Sequence, residues 1–472
     1  MSWNIAKPGD QINGPLTVTG KATVTTNVEI WRGLLNDGTS TAVGTTTLGA
    51  TAAGAVSNTA IGSLALYRNT SGGSNVAVGR QSLNANLTGG GNTAIGLNSG
   101  GAINTASNST ALGVNALNGN RDVTGGENLA VGNSAMYADG SASLTGTYNI
   151  GIGSSAARRL TTGSHNIGIG NSALFSASDI TGGDNVGVGR DTLRNLSTGG
   201  DNQAVGRLAG NRITTGNQNS LLGVAAGRSI TTGLYNVAIG LEAVGNFAVD
   251  MTGSDNIAIG RSAMFSNSSI SGGSNIGIGF DTFRNLSSGS GNVAIGQNAL
   301  RTTTTGSNTV AIGVDSLYNN LSDNIVAIGA GALRENTTGL ANTGVGRSAL
   351  RLNNTGVSNT ALGYQALYTT SASNNTAIGT EALYSTSTGA HNTALGSDAG
   401  SNITTGSSNI VIGVSARATT STTSNELSIG AAAYYVATYG GPATYFATAG
   451  ASLGYIQIRL NGSLVKLQVY TP

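Results

Sequence analysis

Only two histidines, His165 and His391, occur in the 472 residues, and with no cysteine present they are the chain's only imidazole or thiol groups for metal binding or proton transfer near neutral pH. Each stands just before an Asn in rungs far apart in sequence, so within one chain they cannot share a metal ion or a catalytic triad. Both read as exposed corner residues. Carboxylates come one at a time in turns, as Glu127, Asp184, Asp201 and Asp255. Glycoside cleavage needs two carboxyl groups flanking one bond, and no single turn offers the pair; pairs formed between subunits stay open.

The next chemistry-bearing pattern is a column of rings and guanidinium groups, counted from the Gly that closes a recurring phrase such as Asn166-Ile167-Gly168-Ile169-Gly170. Five residues after that Gly stand Tyr67, Tyr137, Phe175, Phe265, Tyr318, Tyr368, Tyr384 and Tyr435 in eight rungs, and Arg158, Arg194, Arg228, Arg284, Arg301, Arg334 and Arg351 in seven. Such a stripe could stack on sugar rings while Arg hydrogen-bonds hydroxyls or acidic groups. It could equally cover a neighbouring subunit's seam by Tyr–Arg stacking. The residues singled out for receptor binding are Tyr137, Phe175, Arg194, Phe265, Arg284, Tyr318, Tyr368 and Tyr384, with Tyr445 and Tyr455 near the C-terminus. Gly182-Gly183-Asp184-Asn185 lacks the Gly-x-Asp order of a calcium-binding nonapeptide and does not recur in register. No phosphate-binding loop or nucleophile elbow occurs, so neither a catalytic residue, a metal ligand nor a cofactor is assigned.

What must position these side chains is the repeat itself. Its closing glycines run Gly62, Gly79, Gly96, Gly113 and onward to Gly430, most often 17 residues apart, which signals a solenoid. The residue before each is Ile, Val or Leu, and the residue three before is β-branched in 18 of 22 rungs, a period of two that requires a strand. Between them sits Ala or Gly in 19 of 22, so one strand face carries Ile and Val and the other a column of small residues. Neither face is polar. The expectation is that Ile and Val fill the core, that both faces are buried, and that the small column admits another chain.

Ala, Ser or Thr three residues after each closing Gly, followed mostly by Leu or Met, predicts a second strand-like segment, as in Ala173-Leu174. A Gly seven residues before the closing one, such as Gly163, Gly233 or Gly306, predicts a tight turn with positive φ. An Asn four or five residues before every closing Gly predicts an amide ladder along one corner. Pro is confined to positions 8, 15, 442 and 472, so none interrupts a ladder. At about 4.8 Å per strand, the rungs stack to roughly 105 Å, a rod with a thin core.

Composition narrows the partners. Only 9% of the chain is charged, the net charge is +2 and Lys occurs only at positions 7, 21 and 466, so there is no basic footprint for nucleic acid or an anionic membrane. No apolar run approaches the ~20 residues of a membrane helix, and the first residues lack a signal peptide's regions. The expected protein is soluble and made in a cytoplasm.

Three divisions follow: residues 1–44, a β-rich capping or attachment segment holding Trp3 and Trp31; residues 45–430, the repeat shaft; and residues 431–472, a cap or tip. In the first, Leu16–Thr19 and Ala22–Thr25 alternate like strands. In the last, Asn461-Gly462 predicts a hairpin that pairs Ile458 with Val465 and Ile456 with Leu467. Five intervals exceed 17 residues, with the extra residues in 118–123, 138–143, 176–179, 246–250 and 266–269, all at one point of the period and so on one lateral face. They mark either a binding surface or unconstrained drift. Residues 171–206 align with 261–296 without a gap, evidence of growth by copying.

The phrase Asn-x-Ala-Ile-Gly followed by x-x-Ala, over residues 58–430, resembles the head repeats of trimeric autotransporter adhesins and similar arrays in bacteriophage tail fibres. The resemblance implies an all-β, left-handed parallel β-roll or β-helix of about 22 rungs, packed as a homotrimer. It departs from the adhesins in period, which is shorter there, and in lacking their signal peptide and membrane-anchoring barrel, which shifts it toward a phage fibre. The expected function is a virion tail fibre that mediates host attachment, assembled in the host cytoplasm. It would dock on a tail or baseplate protein by residues 1–44 and contact a host surface glycan or outer-membrane component. A purely structural spike or filament and a bacterial surface adhesin remain the alternatives.

Overall fold

A computed structural model describes residues 30–32, 40–44, 46–48, 55–139, 142–246, 249–431, 434–439, 452–460 and 463–470, with side chains described between 40 and 430. The expected strands at Leu16–Thr19 and Ala22–Thr25 and the ring of Tyr445 lie outside them. The chain divides into two compact units, Met1–Ile259 and Gly260–Pro472. In the first, a strand Ile30–Arg32 runs antiparallel to Thr41–Val43, and from there to Ile257–Ile259 thirteen three-residue strands pair in parallel. Twelve steps of about 4.8 Å give this unit a stack of roughly 58 Å. The second unit repeats the pattern in ten strands from Ile276–Ile278 to Leu427–Ala431, the last turning back antiparallel against Tyr434–Tyr439. Every step is in register: Val186 faces Ile167 and Gly187 faces Gly168. The chain is a parallel β-solenoid of about 22 turns with a period near 17 residues. At the C-terminus Ser452–Leu460 and Ser463–Tyr470 pair antiparallel, with Ile458 opposite Val465 and Ile456 opposite Leu467, as Asn461-Gly462 predicts.

The strand faces are reversed from the sequence expectation. The small central residue points inward and is fully buried, as at Ala60, Ala77, Ala94 and Ala238, while its neighbours point outward, leaving Ile61 40%, Ile95 41% and Leu222 53% exposed. The cause is volume. The interior of a rung is already occupied by the residue four after the closing Gly, such as Leu66, Leu83 or Leu174, all at 0% exposure, which leaves room for only a methyl group opposite. The rungs trade volume accordingly. Where Phe283 and Leu286 fill the core, position 277 is Gly, and a Cβ there would stand 2.9 Å from the Phe283 ring. Where Leu221 takes the central position, Gly227 replaces the usual Leu, and a Cβ on it would stand 2.4 Å from Leu221.

The second segment is not a strand. Ser172 and Leu174 hold φ of 54° and 52°, a left-handed conformation in which β-branched or bulky residues are seldom found. Its backbone still bonds to the next rung, Leu174 N–H to the Thr192 carbonyl at 2.9 Å, while Ala173 N–H closes a turn on the Gly170 carbonyl at 3.3 Å. The glycines seven before the closing one are also corrected: Gly163, Gly233 and Gly306 are absent from the positive-φ residues. They are small because of close approach, since a Cβ on Gly163 would lie 2.3 Å from the Gly182 carbonyl oxygen. In the longer intervals the core position at the end of the extra residues is filled by Val123, Leu144, Ile180, Met251 and Ile270, all buried. Parallel bridges Ile103–Val123, Val123–Leu144 and Leu160–Ile180 restore the register.

The amide ladder is present, and its two spacings have different causes. At four residues before the closing Gly the Asn is buried: Asn166 N–H donates to Asn149 Oδ1 at 2.8 Å, and Asn166 Nδ2 donates to the Gly182 carbonyl at 3.0 Å. Asn166 Oδ1 in turn accepts the Asn185 N–H at 3.1 Å. In each rung where that position is Ser109, Thr309, Ile325 or Glu426, an Asn sits one place earlier, and Asn108, Asn308, Asn324 and Asn425 hold φ of 54–61°, the left-handed corner that Asn tolerates. A second ladder went unnoticed in the sequence: Asn86 Nδ2 donates to Asn69 Oδ1 at 3.1 Å, and Asn336 Nδ2 to Asn320 Oδ1 at 2.8 Å. Its signal was Asn followed three residues later by Gly, as in Asn69 and Gly72, whose N–H bonds to Asn69 Oδ1 at 3.1 Å. Replacing Asn166→Ala orphans the buried Gly182 carbonyl and Asn185 N–H, and is expected to cost about 2–3 kcal/mol. Urea unfolding followed by circular dichroism measures it.

Candidate interaction surface

The ring-and-guanidinium column forms as a ladder within one chain. In the first unit the Arg158 guanidinium lies 5.5 Å from the Tyr137 ring and 5.5 Å from Phe175, and Arg194 lies 5.4 Å from the other side of the column at Phe175. In the second, Arg284 lies 5.6 Å from Phe265, and Tyr318 sits between Arg301 at 5.5 Å and Arg334 at 5.0 Å. Tyr368 and Tyr384 stack at 5.1 Å with their planes 8° apart. Ion pairs hold the cations: Arg158 with Asp139 at 2.5 Å, and Arg284 with the buried Asp281 at 2.8 Å. Arg158 links Tyr137 to Phe175, which Arg194 also meets, and Tyr318 lies with Arg301 and Arg334, so these side chains contact one another within one chain. Tyr455 lies opposite Gln468 in the terminal hairpin. Phe175→Ala removes two cation–π contacts, an expected loss of about 1–2 kcal/mol, readable as a lowered melting temperature.

A wider surface is the outward strand face. In the first unit it presents Ile61, Ile95, Leu112, Ile169, Val205, Leu222 and Ile239 at 37–53% exposure, joined one residue beyond the closing Gly by Leu97, Val114, Val224 and Leu241. The second unit has its own, from Ile328 through Leu362, Ile378 and Leu395 to Ile412. An apolar surface continued over this many rungs stands at the upper end of the patches that single soluble domains expose, about 300–600 Å². Thirteen strands about 10 Å long at about 4.8 Å spacing present roughly 600 Å² of projected face in the first unit, close to the ~800 Å² per partner of a stable interface.

Comparison with protein-family models, with characterised proteins and with solved structures gives no match. Among the described residues no group of three or more His, Asp or Glu could hold a metal ion, and no helix is long and apolar enough to cross a membrane.

A third surface runs along the corner five residues before each closing Gly. From Glu127 to Asp255 that corner carries Glu127, Tyr148, His165, Asp184, Asp201, Gln218, Tyr235 and Asp255, all exposed and all with φ between 56° and 60°. Tyr148 stacks on His165, ring centroids 5.2 Å apart and planes 4° apart, and His165 Nδ1 lies 3.9 Å from Asp184 Oδ1. The neighbouring Glu127 carboxylate, as hydrogen-bond acceptor and then as charge, lifts the Tyr148 hydroxyl above its ordinary pKa. In sequence these residues stand 17 to 21 apart. One-rung spacing places them in a line.

Proposed function

We propose that this chain is the structural fibre of a bacteriophage virion, a tail fibre that works as a homotrimer and holds the particle to a host surface. The observation that carries the reading is the outward apolar face, repeated on rung after rung. A partner that covers it must offer apolar side chains at the same pitch, and another copy of the same solenoid does so. The adhesin and phage-fibre resemblance of residues 58–430 supports three copies rather than two. Residues 1–44 would dock on a tail or baseplate protein, and residues 431–472 would form the other end. No catalytic step and no cofactor belong to this reading.

Electron microscopy of virions from cells that encode the chain, labelled with antibody against residues 431–472, tests it. Label is expected on the tail appendages. Label confined to the cell interior or to the host envelope would sink the proposal.

A further inference from the structure

We propose that the corner row from Glu127 to Asp201, continued by Tyr235, is a binding strip for an uncharged, hydroxyl-rich glycan. It rests on the tail-fibre reading only for where the glycan comes from. The aromatic residues are the leading observation. Tyr148 and Tyr235 are 54% and 53% exposed, the most open aromatic rings among the described residues, and they occupy left-handed corners. At the same corner other rungs carry Ser57, Ser74, Gly91, Asn108, Gly291, Asn308 and Asn324. Side chains with a Cβ pay roughly 1–2 kcal/mol there, least for Asn, so scaffold needs favour Gly or Asn over Tyr. Nothing in the core uses these rings.

Ligand class follows from the chemistry in the row. A flat ring presents an apolar surface to the C–H face of a sugar and a polar edge to its hydroxyls. Glu127, Asp184 and Asp201 supply acceptors for hydroxyl donors, and the row from Glu127 to Asp255 contains no Lys or Arg. Its carboxylates repel polyanions, which sets this strip apart from the ring-and-guanidinium column, where Arg158, Arg194 and the rings of Tyr137 and Phe175 already occupy one another. Successive side chains stand about one rung, ~4.8 Å, apart, comparable with one sugar unit of a linear chain. The Tyr148–His165 stack, with Asp184 Oδ1 3.9 Å from the imidazole, holds the groups in place before any ligand arrives, so little ordering remains to be lost on binding.

The test uses the full chain on an array of bacterial O-antigen oligosaccharides, neutral and acidic. The variant is Tyr148→Asn with His165→Asn, because Asn suits a left-handed corner and stands there naturally at Asn108 and Asn308, so the solenoid is preserved. The expected result is binding to neutral members, lowered at least tenfold in this variant. A silent array, binding restricted to acidic members, or binding that survives in the double Asn variant would each overturn the strip. Because the array reads the purified protein, its result stands apart from the virion labelling: label off the virion with array binding lost in the variant would reject the tail fibre and keep the strip.

Discussion

Gly170→Val is expected to lower stability by about 4 kcal/mol, in the exceptional tail of single substitutions. Two effects combine. Gly170 holds φ of 130°, a region open essentially to Gly alone, so any side chain there is strained by about 1–3 kcal/mol. A Cβ would also stand 2.6 Å from the Gly189 carbonyl oxygen and 2.7 Å from its carbon, and that backbone cannot yield without opening the Ile167–Ile169 to Val186–Val188 pairing. Since each rung contacts only its neighbours, damage should be concentrated in the surrounding rungs. Urea unfolding gives the loss, and hydrogen exchange should show amides between Ile150 and Val205 exchanging fastest. A stable variant with unchanged exchange would refute the close-approach account.

The second large effect concerns association. Leu222→Asp with Ile239→Asp places two carboxylates on the outward face of the first unit, where both side chains are exposed in the single chain, 53% and 37%. Burying unpaired charge in an interface costs several kcal/mol, so association should weaken at least about 100-fold. Light scattering coupled to size exclusion is expected to show three chains for the native protein and one for the variant. The inward neighbours Leu221 and Ala238 are untouched, so the circular dichroism should not change. A variant that keeps three chains would move the interface elsewhere.

The strand positions and the register were legible because closing Gly, apolar residue and Asn recur at fixed offsets, and the hairpin was legible from Asn461-Gly462. Which strand face is interior was not. Period-two alternation separates two faces without saying which is inside, and the preference of Ile and Val for cores pointed the wrong way. Ala60 is inside because Leu66 has taken the space, a fact of three-dimensional volume. The segment after each closing Gly was misread for a related reason: Leu174 and Leu193 sit at φ of 52° and 47°, which no propensity of Leu foretells. At the surface, the ring-and-guanidinium column was legible from its fixed offset of five residues after the closing Gly, and its rings and guanidinium groups stack on one another within one chain. The corner row escaped because Tyr148, His165 and Asp184 are 17 and 19 residues apart in sequence, and only the ladder makes them neighbours.

The looped-out residues at 176–179 are bracketed by a pairing that closes again at Leu160–Ile180, and Ile180 refills the core as though nothing had been added. Length is thereby decoupled from phase. A foreign peptide spliced between Ser176 and Asp179 would leave the rungs above and below aligned, and repeating the splice in successive turns would set copies at a fixed axial pitch. Such a chain is a ruler with programmable marks, and its natural long intervals are places where that freedom has already been used.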